Sequence, residues 1–300
     1  MSSLSPARPS PVPSIAPDVT IVIPSWNGAS RIGRLLASLA GQTFPLDRLE
    51  VVVVDDGSAD DTTAAVTAFV VAHEAPWVRC RRQDHGGVNA ARNAGLAAAR
   101  GRYVMLLDDD EEAPADFVRR VVGLLDGAQD MPGAGGPCRL TGERRFRTCA
   151  SCSIGDVRLA IDGAGPSRRL LGGNMTVRRE LFDEVGPFDA ELSGRGDEVE
   201  WFDRADRSFW YDDSLFVWHR RDHLSLPQLL GTGFRQGRSV PVHAEKSGMS
   251  WDPSPVRMAR YLGHAMRSRC VNGLLQASRE AGSTVEWTKR AWRHRAAGRR

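Results

Sequence analysis

Residues 51–54 are four consecutive valines, followed at once by Asp55-Asp56-Gly57-Ser58. An unbroken β-branched run of this kind suits a strand covered on both faces, as in a parallel sheet. The same pattern recurs along the chain. Val19 to Ile23 is a β-branched run ended by Pro24, with Asn27-Gly28 as the turn, and Val78 to Arg82 reads as a third strand. Tyr103 to Leu107 reads as a fourth, stopping at Asp108-Asp109-Asp110. Helical patterns separate the strands. Ser30 is the expected N-cap of a helix whose Ile32, Leu35, Leu36 and Leu39 form one apolar stripe, closed by Gly41. Asp60 and Asp61 open a second, with Val66, Phe69 and Val70 on a shared face; Gly87 to Ala99 is an alanine-rich third. Beyond Pro114, residues Val118, Val121, Val122 and Leu125 trace a fourth. Strands alternating with helices imply βαβ units with right-handed crossovers, hence an α/β fold around a mainly parallel sheet flanked by helices.

That alternation has limits. Residues 1–17 hold five prolines and five serines and few large apolar side chains, so they are expected to be a disordered leader. After about residue 130 glycines cluster, and six of the eight tryptophans lie in the second half. The expected division is therefore 18–130 as one half of a domain, 131–240 as its more irregular second half, and 241–300 as a helical C-terminal extension. Its end, from Lys289, is rich in arginine: a solvated helix end, or a peripheral contact with an anionic membrane.

A chain of 300 residues can bury a substantial core without disulfides. Its 40 basic and 37 acidic side chains leave a net charge of +3, which gives no reason to bind nucleic acid. No apolar run is long enough to span a bilayer. Five cysteines, an odd number, argue against a secreted disulfide framework, and no signal-peptide core precedes the first strand, so a cytoplasmic protein is expected. Cys149 and Cys152 lack the second pair that a zinc site needs and read as ordinary small residues.

In open parallel sheets, ligands sit beyond the carboxyl ends of the strands. Three strand ends here carry capable chemistry: Pro24-Ser25-Trp26-Asn27, Asp55-Asp56-Gly57-Ser58 and Asp108-Asp109-Asp110. If strand alternation continues through the triplet, Asp108 and Asp110 share one hard cation, Mg2+ or Mn2+, with substrate phosphates in the open positions. The bland alternative is a solvated acidic loop that caps a helix, and Glu111 and Glu112 favour it. Asp55-Asp56 reads either as an Asx turn or as an acceptor for a nucleobase or ribose. Trp26 reads either as packing or as a stacking face.

Together these stretches resemble the family 2 glycosyltransferases of the GT-A fold. The resemblance rests on VTIVIPSWNGASRIGRLLASLAGQTF (19–44), VVVVDDGSADDT (51–62), GGVNAARNAGLAAARGRYVMLLDDDEEAP (86–114) and LGGNMTVRRELFDEVGPFDAELSGRGDEVEWFDR (171–204), in order over residues 18–240. It implies a Rossmann-like GT-A domain and a soluble enzyme that moves one sugar from a nucleotide-sugar, a UDP-sugar first, to an acceptor hydroxyl. Family roles carry over by position. Pro24, Trp26 and Asn27 line the nucleobase pocket, and Asp56 meets base or ribose. Arg92 and Asn93 lie near the donor, Asp108 and Asp109 face it, and Asp110 binds metal with Asp108. His219 is a third metal ligand, a diphosphate contact or a structural histidine. Gly173, Asn174 and Trp201 belong to the acceptor side. The family's Glu-Asp pair is inverted here in Gly196-Asp197-Glu198, so the catalytic base is Glu198 or Asp197. Arg220, Arg221 and Arg235 are phosphate contacts or solvated cations. The implied reaction is a metal-dependent single displacement with inversion, and the acceptor a cell-envelope glycan, a lipid-linked sugar or a small natural product. The processive synthases' QxxRW motif is absent, since Phe234-Arg235-Gln236-Gly237 does not fit it. The remaining alternatives are a non-catalytic sugar-nucleotide-binding module and a sugar nucleotidyltransferase of similar fold.

Overall fold

The computed structural model describes residues 16–141, 163–192, 198–220, 225–246, 248 and 250–297. Strands β1 (Val19–Ser25), β2 (Leu49–Asp56), β3 (Val78–Gln83) and β4 (Tyr103–Leu107) run parallel in the order β3-β2-β1-β4. Val51 to Val54 are all buried, as a strand covered on both faces requires. β1 does not stop at Pro24: it continues to Ser25, with Pro24 opposite Val54 and Ser25 opposite Asp55.

Helices α1 (Ile32–Ala40), α2 (Thr62–Ala72), α3 (Val88–Ala98) and α4 (Phe117–Gly127) fill the crossovers. The stripes read for α1 and α4 are buried in full, and in α2 Val66 and Phe69 are buried while Val70 packs at the core's edge. The start of α1 differs from expectation. Ser30 does not cap it; Arg31 takes the N-cap position without a side-chain hydrogen bond. The amides of Gly28 and Ala29 donate instead to Thr62 Oγ1 (2.8 Å) and Asp60 Oδ2 (3.1 Å), at the head of α2. These bonds tie the turn before α1 to the head of α2.

Beyond residue 130 the chain extends the same sheet. β6 (Gly133–Gly135), β8 (Ala164–Ser167), β9 (Asn174–Arg178) and β10 (Phe209–Asp212) complete the order β3-β2-β1-β4-β9-β6-β10-β8. β9 is antiparallel to both neighbours, and β10 is parallel to β6 but antiparallel to β8. A second core forms where α5 (Arg179–Val185) and α6 (Val199–Ala205) pack on this half through Phe182, Phe188, Trp201, Phe202 and Phe209. A small sheet, β5 (Glu111–Glu112), β11 (Val217–Arg220) and β7 (Cys138–Thr141), sets His219 opposite Glu111.

The chain ends in α7 (Leu226–Lys246), α8 (Pro255–Ser268) and α9 (Val271–Ala297). The boundary expected after residue 240 falls inside α7, which also carries Pro241. No helix among the described residues is long and apolar enough to cross a membrane.

Candidate functional site

The carboxyl ends of β1, β2 and β4 open into a cleft of ≈ 780 Å³ whose remaining lining comes from α3, His219, α7 and α9. Trp26, just past β1, is 42% exposed. It stacks on His85 with ring centroids 4.7 Å apart and planes 25° from parallel. Arg235 of α7 sets its guanidinium 5.9 Å from the Trp26 centroid, within cation–π range. Pro24, Trp26, Asn27 and Asp56 all line the cleft, but their side chains do different things. Asn27 takes a left-handed backbone (φ 52°), and its Oδ1 accepts from the Ala59 amide at 2.8 Å, a brace between two loops. The Asp56 carboxylate is buried and accepts from Gln83 Nε2 and the amides of Gly86 and Gly87 at 2.8–2.9 Å, with His85 Nδ1 2.9 Å away. Three donors already meet this carboxylate; Asp56 therefore shapes the loop beneath Trp26.

The aspartate triplet lies in the turn between β4 and β5 rather than on a strand, so alternation does not govern it. Asp108 lies 3.7 Å from Arg92, and its amide donates to Glu111 Oε2 at 2.9 Å. Asp109 accepts from Arg31 Nε and Nη2 (3.1 and 2.9 Å) and from Ser25 Oγ (2.5 Å). Burial pushes its carboxyl up to about 6 against the pull of Arg31. Asp110 Oδ1 sits 3.1 Å from His219 Nε2, while His219 Nδ1 is buried without a hydrogen-bond partner among the described residues. Glu111 is wholly enclosed, and burial followed by the Asp108 charge holds its carboxyl well above the usual range.

Among the described residues no three His, Cys, Asp or Glu side chains are gathered to hold a metal. Asp110 and His219 offer one oxygen and one nitrogen at the cleft wall, and Asp108 stands toward Arg92. That donor set fits a divalent ion which draws its other ligands from phosphate oxygens and water. Imidazole beside carboxylate suits Mn2+ better than Mg2+.

Glu198 takes the N-cap position of α6. A Cβ at Gly172 would lie 2.9 Å from Arg92 Nη2 and 3.4 Å from the Glu198 carboxyl carbon. A Cβ at Gly173 would lie 2.7 Å from both Asp108 Oδ2 and Glu111 Oε1. The glycine pair thus lets Glu198, Arg92 and Asp108 crowd around one stretch of backbone. Asp197, Arg221, Cys149 and Cys152 lie outside the described residues. Arg220 pairs with Glu112 at 2.5 Å.

Three expected contacts go elsewhere. Trp201 is fully buried, donates Nε1–H to the Gly186 carbonyl at 2.9 Å and packs among phenylalanines, so it has no surface to offer an acceptor. Asn174 is buried, its amide donating to the carbonyls of Pro137 and Leu215 at 3.2 and 2.8 Å. Asn93 exchanges two 2.8 Å hydrogen bonds with the backbone of Phe188 and does not line the cleft. Sequence reasoning missed Arg31, His85, Gln236 and Arg279, all of which line it. Of these, only the placement of Arg31 directly before α1 was a readable signal.

The family model described as "Glycosyl transferase family 2" matches residues 20–186. Among curated relatives, glycosyltransferase AglE of Haloferax volcanii is 29% identical over 195 residues, covering 64% of this chain and 62% of that protein. Succinoglycan biosynthesis protein ExoO of Rhizobium meliloti is 42% identical over 113 residues, 37% of this chain and 31% of that protein. The chain thus spans less than two thirds of either relative. Solved structures share the fold. Residues 1–349 of Staphylococcus aureus TarS, in complex with UDP-GlcNAc, superpose with TM-score 0.56 at 16% identity, covering 87% of this chain and 90% of that one. A mannosyltransferase from Pyrobaculum calidifontis, in complex with GDP-Man and Mn2+, gives TM-score 0.57 at 20% identity, with 98% and 84% covered.

Proposed function

The chain belongs to glycosyl transferase family 2, and on that premise we propose that it moves one sugar from a nucleotide-diphosphate sugar to an acceptor hydroxyl. The observation that carries this reading is a single cleft holding the Trp26–His85 stack, the Asp110–His219 pair and Arg235. Pro24, Trp26 and His85 receive the base, and Asp56 holds the loop on which His85 rides. Arg235 meets the diphosphate from the α7 side. Asp110 and His219 hold the divalent cation, which when bound neutralises charge on the departing diphosphate. Asp109, locked by Arg31 and Ser25, fixes the turn so that Asp108 faces the sugar. Glu198 takes the proton from the acceptor hydroxyl as oxygen attacks the anomeric carbon and the bond to the phosphate oxygen breaks, inverting that centre. UDP is the proposed nucleotide, supported by the likeness to TarS; GDP is the competitor, by the likeness to the mannosyltransferase. A cell-envelope glycan or a small natural product is the proposed acceptor class.

Calorimetric titration of UDP, GDP, dTDP and CDP, each with and without Mn2+, tests the donor half. The expected outcome is binding of UDP that needs Mn2+ and is lost in Asp110→Ala. Binding that ignores metal removes the assigned role of Asp110 and His219. No binding by any of the four overturns the donor reading.

A further inference from the structure

The C-terminal helices carry a surface that the cleft does not use. On α8, Pro255, Val256, Ala259, Leu262 and Met266 are exposed, Val256 at 70% and Met266 at 76%. At one residue per 100° these five positions fall within a single arc of about 120°. Arg260 and Arg267, also exposed, stand along one rim of it. The opposite side of α8 is spent on α9: Ala265 is buried, and Arg257 pairs with Glu280 at 2.9 Å. Scattered exposed apolar residues are ordinary on a protein surface, but a contiguous apolar helix face is not.

Charge decides what covers this face. α8 contains no acidic residue, and Arg260, Arg267 and the following Arg269 form no ion pair among the described residues. An antiparallel second copy docked through the same face would set arginine rim against arginine rim, and a parallel one would set each rim beside a helix that carries no acidic residue. An anionic surface satisfies both features at once: the arc enters the acyl boundary while the arginines meet headgroup charge. Near the end of α9, Trp292 is 72% exposed beside exposed Lys289 and Arg293, the same pairing of apolar body and cation.

We propose that α8 is an interfacial helix that docks the protein on an anionic lipid surface. The link to the cleft is direct, because α9 both pairs with α8 through Glu280 and lines the cleft with Leu275 and Arg279. α9 thus joins the docked helix to the cleft.

The test uses the full chain with sedimented vesicles of phosphatidylcholine, alone or with phosphatidylglycerol. The native protein is expected to partition to the anionic vesicles, weakly to the neutral ones, and less as salt rises. Leu262→Ser with Met266→Ser should lower that partition at least about tenfold, and Arg260→Glu with Arg267→Glu at least about thirtyfold. Thermal melting of both variants should match the native protein, since the side chains are exposed. No partition to anionic vesicles, or partition that neither variant changes, overturns the proposal. A native dimer in light scattering that the Leu262→Ser, Met266→Ser variant dissociates would assign the face to a second copy and overturn it equally.

Discussion

Asp108, Asp109 and Asp110 are identical by chemistry and differ by what the fold sets beside them: Arg92, the Arg31–Ser25 clamp, and His219. That the triplet follows a buried strand at the edge where the sheet opens was legible in the sequence. Which aspartate meets which partner was not, because the partners arrive from α1, α3 and β11. The same holds for Trp201. A tryptophan three residues after Glu198 reads alike whether its ring faces a ligand or a core, and only the packing of Phe182, Phe188 and Phe209 around it decides. Trp201→Ala should therefore cost about 3–5 kcal/mol of stability in denaturant unfolding, with KM for the acceptor unchanged in whatever protein remains folded. Glu198→Gln should cut turnover by about a hundredfold to ten-thousandfold while nucleotide affinity, measured by titration, stays the same. A loss of that size from Asp197→Asn, with Glu198→Gln active, would move the base to the neighbour.

At the level of elements, β1 to β4 and α1 to α4 were readable because each buries a face that repeats at its own period. β6 shows why legibility fails later. Its Gly133-Ala134-Gly135 offers no side-chain pattern, and it enters the sheet because bare backbone can approach β9 closely. Helix α7 hides for a related reason. Its sequence carries three glycines and two prolines, residues that weaken a helix prediction. The glycines serve close packing: a Cβ at Gly237 would lie 2.0 Å from the Arg279 carbonyl oxygen of α9. Gly237→Val should force these helices apart. Because α7 and α9 both line the cleft, the variant should lose nucleotide affinity in calorimetry about tenfold or more as well as thermal stability, a coupling that a defect confined to one helix would lack.

Across the whole molecule, stability should depend on acid through buried carboxylate networks. Glu50 is buried at the start of β2 and accepts from Thr20 Oγ1 (2.7 Å), Arg79 (2.5 Å) and Arg100 (2.8 Å). Burial alone would raise its carboxyl, but these hydrogen bonds and both arginine charges outweigh burial and hold it below its ordinary 4.5. Asp55 and Asp126 are lowered in the same way. A depressed carboxyl means that the unfolded chain binds more protons, so this stabilisation is present above the ordinary carboxylate range and is lost as pH falls through the folded values. Melting temperature should drop below about pH 4. Glu50→Gln should lower stability at neutral pH by about 1–3 kcal/mol and flatten part of that acid limb. A final consequence follows from the two walls of the cleft, one drawn from residues 24–110 and the other from 219–279. During synthesis the sheet's parallel strands leave the ribosome long before α7 and α9 exist. The growing chain thus carries Trp26 and the aspartate turn open to solvent on one side until residues 219–279 have followed, and a small molecule held between the two walls can help to hold the fold only after that.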